Sequence, residues 1–203
     1  MNRRDVLRAI VATGGVGCAG CVSGASPSTD ERRVSLDEQD SVPGEHDIQI
    51  EVEVLEPTVT ASRTAQLRVT TTNEGPQRAL SVGTEGCAIL NRQDCLSEPP
   101  GIRLYRTDKA DSISRDGERW IPKPADRWSG FASYGCPSTQ YDSGDSVHTE
   151  YEVWQDHQQD GYLQPGTYRW ETGIRVENHG QQADDHPSFT WGFSLSVAVP
   201  DND

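Results

Sequence analysis

Lysine is nearly absent from this chain. Lys109 and Lys123 are the only two, and arginine supplies the rest of its 18 basic residues, against 32 acidic ones. A surface so poor in basic side chains does not suit a polyanion, because nucleic acid is held by clustered Lys and Arg that displace its counterions; no nucleic-acid partner is expected. Methionine occurs once, as Met1, so a blue-copper centre built from two His, a Cys and an axial Met lacks a ligand. There is no Gly-x-Ser-x-Gly elbow, and no Cys-x-x-Cys follows residue 21. The usual signs of an α/β-hydrolase and of a dithiol redox enzyme are therefore missing. The hydrophobic fraction is only 33%, and no apolar run is long enough to cross a bilayer as a helix. These absences leave no catalytic residue to name and no cofactor to expect, so the chain reads as a non-enzyme.

What is present begins with residues 1 to 21. Arg3-Arg4 stand in Asn-Arg-Arg-Asp-Val-Leu-Arg, ahead of a Gly-rich, mildly apolar run from Ala9 to Gly20. The pair resembles the twin-arginine signature of the Tat export route, an address read by a receptor. The run ends in Cys18-Ala19-Gly20-Cys21, which resembles a lipobox: small residues before a cysteine that becomes both the lipidated residue and the new N-terminus. Cys18 stands where such motifs usually carry Leu. The resemblance implies cleavage before Cys21, lipid on Cys21, and a mature chain held at the outer face of the cytoplasmic membrane. Two lipid chains would make that attachment stable, since one acyl chain binds only marginally and each buried CH₂ contributes about 0.8 kcal/mol.

Removing Arg3, Arg4, Arg8 and Asp5 with the leader leaves 15 basic and 31 acidic residues, a formal charge of −16. An acidic, Lys-poor surface of this kind resembles proteins of salt-loving archaea, and the whole chain resembles haloarchaeal lipoproteins of uncharacterised function. In about 1 M salt, charges are screened within about 3 Å, so the acidity is read as a solvation device and not as a partner-binding face.

Residues 22–44 are rich in Ser, Asp and Glu, contain Pro27 and Pro43, and show no apolar period. They are expected to form a flexible acidic linker with a coil reach of roughly 25 to 30 Å. Residues 45–200 then suit one domain with one core. Apolar and polar residues alternate at Ile48 to Val54, Thr64 to Asn73, Ser146 to Gln155, Gly166 to Val176 and Ser188 to Val199, with shorter candidates at Arg78 to Gly83 and Gly101 to Thr107. Period-two alternation marks half-buried strands, and no window after the leader carries a helical stripe. Asp108 to Thr139, with three prolines and several aromatics, is expected to form short strands and long loops. Seven to eight short strands separated by turns indicate an all-β fold, an antiparallel immunoglobulin-like β-sandwich.

One local motif adds to this. Leu163-Gln164-Pro165-Gly166-Thr167-Tyr168 resembles the turn and buried Tyr that open a late strand in immunoglobulin-like domains, where the hydroxyl bonds to nearby backbone. Together with Tyr151-Glu152-Val153-Trp154, the stretch from 64 to 176 is similar to β-sandwiches of the bacterial intracellular proteinase inhibitor (BsuPI) type. That similarity implies a fold, and an inhibitor-like module as the alternative function; it carries no inhibitory residues onto this chain.

Three cysteines remain beyond Cys21: Cys87, Cys95 and Cys136. An oxidising exterior favours a disulfide between two of them, and the entropy of loop closure favours Cys136 joined to Cys87 or Cys95. The histidines His46, His148, His157, His179 and His186 are scattered. The loop Asn178 to His186 could present imidazole and carboxylate groups to a divalent ion, but reads first as a solvated hairpin loop, and no metal is expected. Trp120, Trp128, Phe131 and Tyr134 either pack as a satellite cluster or form a platform for a glycan or protein. The function expected is a non-catalytic binding or structural module at the cell envelope. Its partners would be the membrane, through the lipid on Cys21, and an envelope protein or glycan; a metal-binding or redox protein is the remaining alternative.

Overall fold

The computed structural model describes residues 30–83, 87–91, 95–110, 113–127, 138–177 and 187–200. Within them lie the strands β1 (Arg32–Gln39), β2 (Ile48–Glu56), β3 (Thr58–Val59), β4 (Gln66–Asn73), β5 (Arg78–Leu80), β6 (Ile102–Arg106), β7 (Arg115–Asp116), β8 (Arg119–Pro122), β9 (Thr139–Tyr141), β10 (Ser146–Gln155), β11 (Gly166–Glu177) and β12 (Ser188–Ala198). All strand pairs are antiparallel. One sheet runs β2-β4-β10-β6, the other β3-β1-β12-β11-β5-β9, and β7-β8 stands apart as a hairpin.

Alternation explains the principal strands. β4 buries every second side chain (Leu67, Val69, Thr71, Asn73), and β11 does the same with Tyr168, Trp170, Thr172, Ile174 and Val176. The two inner faces meet in a single core that includes Leu67, Val69, Tyr151, Val153, Trp170, Trp191 and Phe193. Trp170 and Phe193 stack with ring centroids 5.4 Å apart. In chain order, β2, β4, β5, β6, β10, β11 and β12 take the places of strands A to G: A, B, E and D form one sheet, and C, F and G lie in the other. This is the immunoglobulin-like arrangement, an all-β antiparallel sandwich. Tyr168 supports it locally, because its hydroxyl donates to the Gln164 carbonyl at 2.8 Å as a tyrosine corner does.

The fold begins earlier than the sequence suggests. β1 lies inside the segment expected to be linker, and pairs with β12 from Arg33 opposite Ala198 to Gln39 opposite Phe193. Its hydrophobic pattern is too short to read, since Val34 is buried while Leu36 is exposed. Polar contacts hold it instead. Arg32 is only 7% exposed, and its guanidinium donates to the carbonyls of Leu163 (2.7 Å) and Tyr162 (3.0 Å). Leu163 itself sits at φ 38°, a left-handed conformation that is uncommon for a side chain with a Cβ. It is fixed on one side by Arg32 and on the other by Gln155, whose Oε1 accepts the Leu163 N–H at 2.7 Å. At the other end of β1, the Gln39 amide donates to Ile50 O (2.8 Å) and accepts from Val52 N (2.7 Å), clamping β1 to the edge of the opposite sheet. Residues 32–39 are therefore structural, and the domain starts ahead of residue 45.

Candidate functional site

The outer face of a sandwich sheet normally meets water, but the β6-β10 edge is covered. Arg103 and Tyr105 of β6 lie opposite Trp154 and Glu152 of β10, on the face turned away from Ile102 and Leu104, which are in the core. Trp154 is 2% exposed because two rings close over it: Tyr105 at 5.4 Å and 67°, and Trp120 of β8 at 5.2 Å and 83°. Edge-to-face contacts of this kind suit the ring quadrupoles. A cation ends the row on each side, with the Arg115 guanidinium 4.4 Å from the Trp120 ring centre and that of Arg103 5.8 Å from the Tyr105 ring centre. The Trp154 indole donates to Glu152 at 2.9 Å, so the polar edge of the ring is also satisfied.

The β7-β8 hairpin exists to place Trp120 there. Asp116-Gly117 turns the chain with Gly117 at φ 68°, a region open to glycine. Trp120 then donates from its indole to Thr60 O (2.8 Å) and from its backbone to the Tyr162 hydroxyl (3.2 Å). Arg119 lies 5.2 Å from the Tyr162 ring centre and makes two bonds to Asp30, while Arg115 also donates to Ala61 O. Arg115, Arg119 and Arg32 thus tie the hairpin, the segment that enters β1 and the β10-β11 turn into one unit.

Beside Arg103 lie a buried carboxyl, Asp156, and a half-buried imidazole, His157. Asp156 is 3% exposed, and its Oδ1 is 3.8 Å from Nδ1 of His157. That nitrogen is buried without a hydrogen-bond partner. Burial pulls the His157 pKa below its ordinary value of 6.5; Asp156 opposes this, and Arg103 and Arg127 reinforce it. A base that ionises less readily when folded favours the fold above its ordinary pKa, and that contribution is lost as the pH falls below about 6.5. The melting temperature should therefore drop between about pH 7 and pH 5, and His157→Gln should make that drop shallower. Thermal unfolding of both proteins across this pH range checks it. An unchanged slope in the variant would show that His157 does not titrate with folding.

The structure sorts the other sequence-derived candidates. Arg3, Arg4, Cys21 and Cys136 lie outside the described residues, as do Trp128, Phe131, Tyr134 and the loop Asn178 to His186. Cys87 is half-buried and Cys95 buried, and the Cys95 carbonyl accepts the Trp170 indole N–H at 3.1 Å. No disulfide is seen among the described residues. His46 is buried and stacks on Phe189 at 4.7 Å, which is a packing role. Among the described residues, no group of three His, Cys, Asp or Glu is placed to hold a metal ion. Trp120 resolves to packing, being half-buried against Trp154. The arginines that cap this cluster were not among the candidates. The signal for them was Arg115-Asp116-Gly117-Glu118-Arg119-Trp120, a turn dipeptide flanked by cations and followed by an indole.

An open cleft of about 350 Å³ lies where β1 leaves β12, lined by Gln39, Asp40, Gln49, Glu51 and Glu74 among others. Its polar groups are largely engaged: Gln39 bridges to β2, and Asp40 pairs with Arg169 at 2.6 Å. Comparison of the chain with family models, with curated proteins and with solved structures finds no match to any of them.

Proposed function

We propose that this chain is an exported, lipid-anchored protein that serves as a non-catalytic binding or structural module at the outer face of the cytoplasmic membrane. The observation that carries the reading is Cys18-Ala19-Gly20-Cys21 behind the Arg3-Arg4 pair. Arg3 and Arg4 address the chain to Tat, and Cys21 takes the lipid. The acidic, lysine-poor composition suits work in concentrated salt. The sandwich fits this reading because its contacts at the β6-β10 edge are spent on packing, leaving the domain a rigid body to be presented by its anchor.

Fractionation of cells tests it. Cys21→Ser should move most of the protein, on the order of tenfold, from the membrane pellet to the soluble fraction, since a polar domain without acyl chains has no membrane affinity comparable to two buried lipids. If the variant pellets as the parent does, the lipid is not what holds it. The three remaining cysteines support a structural disulfide through Cys136. Thiol counting on unreduced, denatured protein should find one free thiol among Cys87, Cys95 and Cys136, and a count of three would reject the bridge.

A further inference from the structure

We infer that the mature domain docks on the membrane through the β7-β8 hairpin, with Arg115, Arg119 and Lys123 against lipid phosphates. This rests on the anchor at Cys21 proposed above, but its own observations are geometric. Asp30 is bound to Arg119 of β8 by hydrogen bonds of 2.8 and 3.1 Å, so the chain enters the fold beside the hairpin. Cys21 precedes Asp30 by nine residues, which span at most about 32 Å even when fully extended. The long axis of the sandwich exceeds that: β12 alone has eleven residues, about 36 Å. An anchor on Cys21 therefore holds the hairpin end toward the bilayer, and the opposite end cannot turn to face it.

Charge agrees with this orientation. Residues 113–127 carry Arg115, Arg119, Lys123 and Arg127 against Asp116, Glu118 and Asp126, and Asp30, bonded to Arg119, brings this patch to neutrality in a mature chain of −16. The turns at the opposite end present Asp47, Glu74, Asp142 and Asp145. Lys123 follows Pro122, which pairs with Arg115, and both Lys123 and Arg119 are exposed. Guanidinium and ammonium groups bond phosphate at about 2.7–2.9 Å. That is shorter than the screening length of about 3 Å at 1 M salt, so such contacts persist where long-range steering does not.

The two lysines make the test simple. Lys123 belongs to the hairpin, whereas Lys109 follows the far end of β6, beyond Arg106. The full lipidated chain is incorporated into vesicles of equal parts phosphatidylglycerol and phosphatidylcholine, floated, and treated with an amine-reactive reagent; modification at each lysine is read by mass spectrometry. The comparison is the Cys21→Ser chain mixed with the same vesicles. Lys123 should react at least fivefold more slowly in the floated protein than in the comparison, with Lys109 unchanged within twofold. Arg119→Glu should return Lys123 to within twofold of the comparison while the protein still floats. A floated chain whose Lys123 reacts at full rate, or whose two lysines slow equally, overturns the docking and leaves the anchor standing. Continued protection of Lys123 in Arg119→Glu overturns the phosphate contact. A chain that does not float overturns anchor and docking together.

Discussion

A chain that starts at Gly44 is expected not to fold. Its loss would be severe because β1 is the neighbour of β12 along most of that strand, and β12 carries Trp191, Phe193, Leu195 and Val197 into the core. Removing β1 exposes the backbone edge of β12, withdraws Val34, which is 1% exposed and contributes about 1.5–3 kcal/mol by burial, and removes Arg32. The two carbonyls that Arg32 satisfies account for about 1.5–3 kcal/mol each as charge-assisted bonds. Leu163 would also lose one of the contacts that hold its left-handed backbone. Together these approach the whole stability of a domain, about 5–15 kcal/mol. Circular dichroism and thermal unfolding of chains beginning at Cys21 and at Gly44 check the point. The longer one should melt cooperatively and the shorter one should show no transition, whereas equal melting temperatures would return residues 32–39 to the status of a tether.

Trp154→Ala should be the most damaging single substitution on the outer face of the β2-β4-β10-β6 sheet. Trp154 is almost fully buried, although it lies outside the core between the sheets. Truncating a buried Trp to Ala costs about 3–5 kcal/mol, or about 6–20 °C in melting temperature for a domain of this size. Tyr105 and Trp120 would lose the ring between them, and the hairpin its main apolar support. Arg115→Ala removes the outermost contact of the row together with the bond to Ala61 O and should lower stability by about 1–2 kcal/mol. Urea unfolding of the three proteins measures the order. If Trp154→Ala and Arg115→Ala were equally mild, the cluster would be a surface feature and not a second packed layer.

Five of the seven strands that define the immunoglobulin-like order, β2, β4, β10, β11 and β12, were legible because each carries its own alternation, whereas β5 and β6 were legible only as short candidates, since all of β5 and the first three residues of β6 are buried. The Tyr168 corner was legible as well, because a short turn with Gly166 before a Tyr fixes the local geometry. What escaped was stabilised by arginine. β1 offers one buried Val and a buried Arg32, and a buried guanidinium reads in sequence as a solvated charge. Short strands were expected between Asp108 and Thr139, where β7 and β8 lie, but their packing escaped, because Trp120 is held between the nearby Arg115 and the sequence-distant Trp154. His157 read as one of several scattered histidines, since its burial beside Asp156 and Arg103 depends on the sheet edge being covered.

One measurement bears most directly on the lipid-anchored reading: the mass of the amino-terminal peptide from protein purified out of the membrane fraction. The account predicts a peptide that starts at Cys21 and is heavier than its sequence by the mass of attached acyl or ether lipid. A peptide that starts at Met1 or at any residue other than Cys21, or one at Cys21 with unmodified mass, would contradict it.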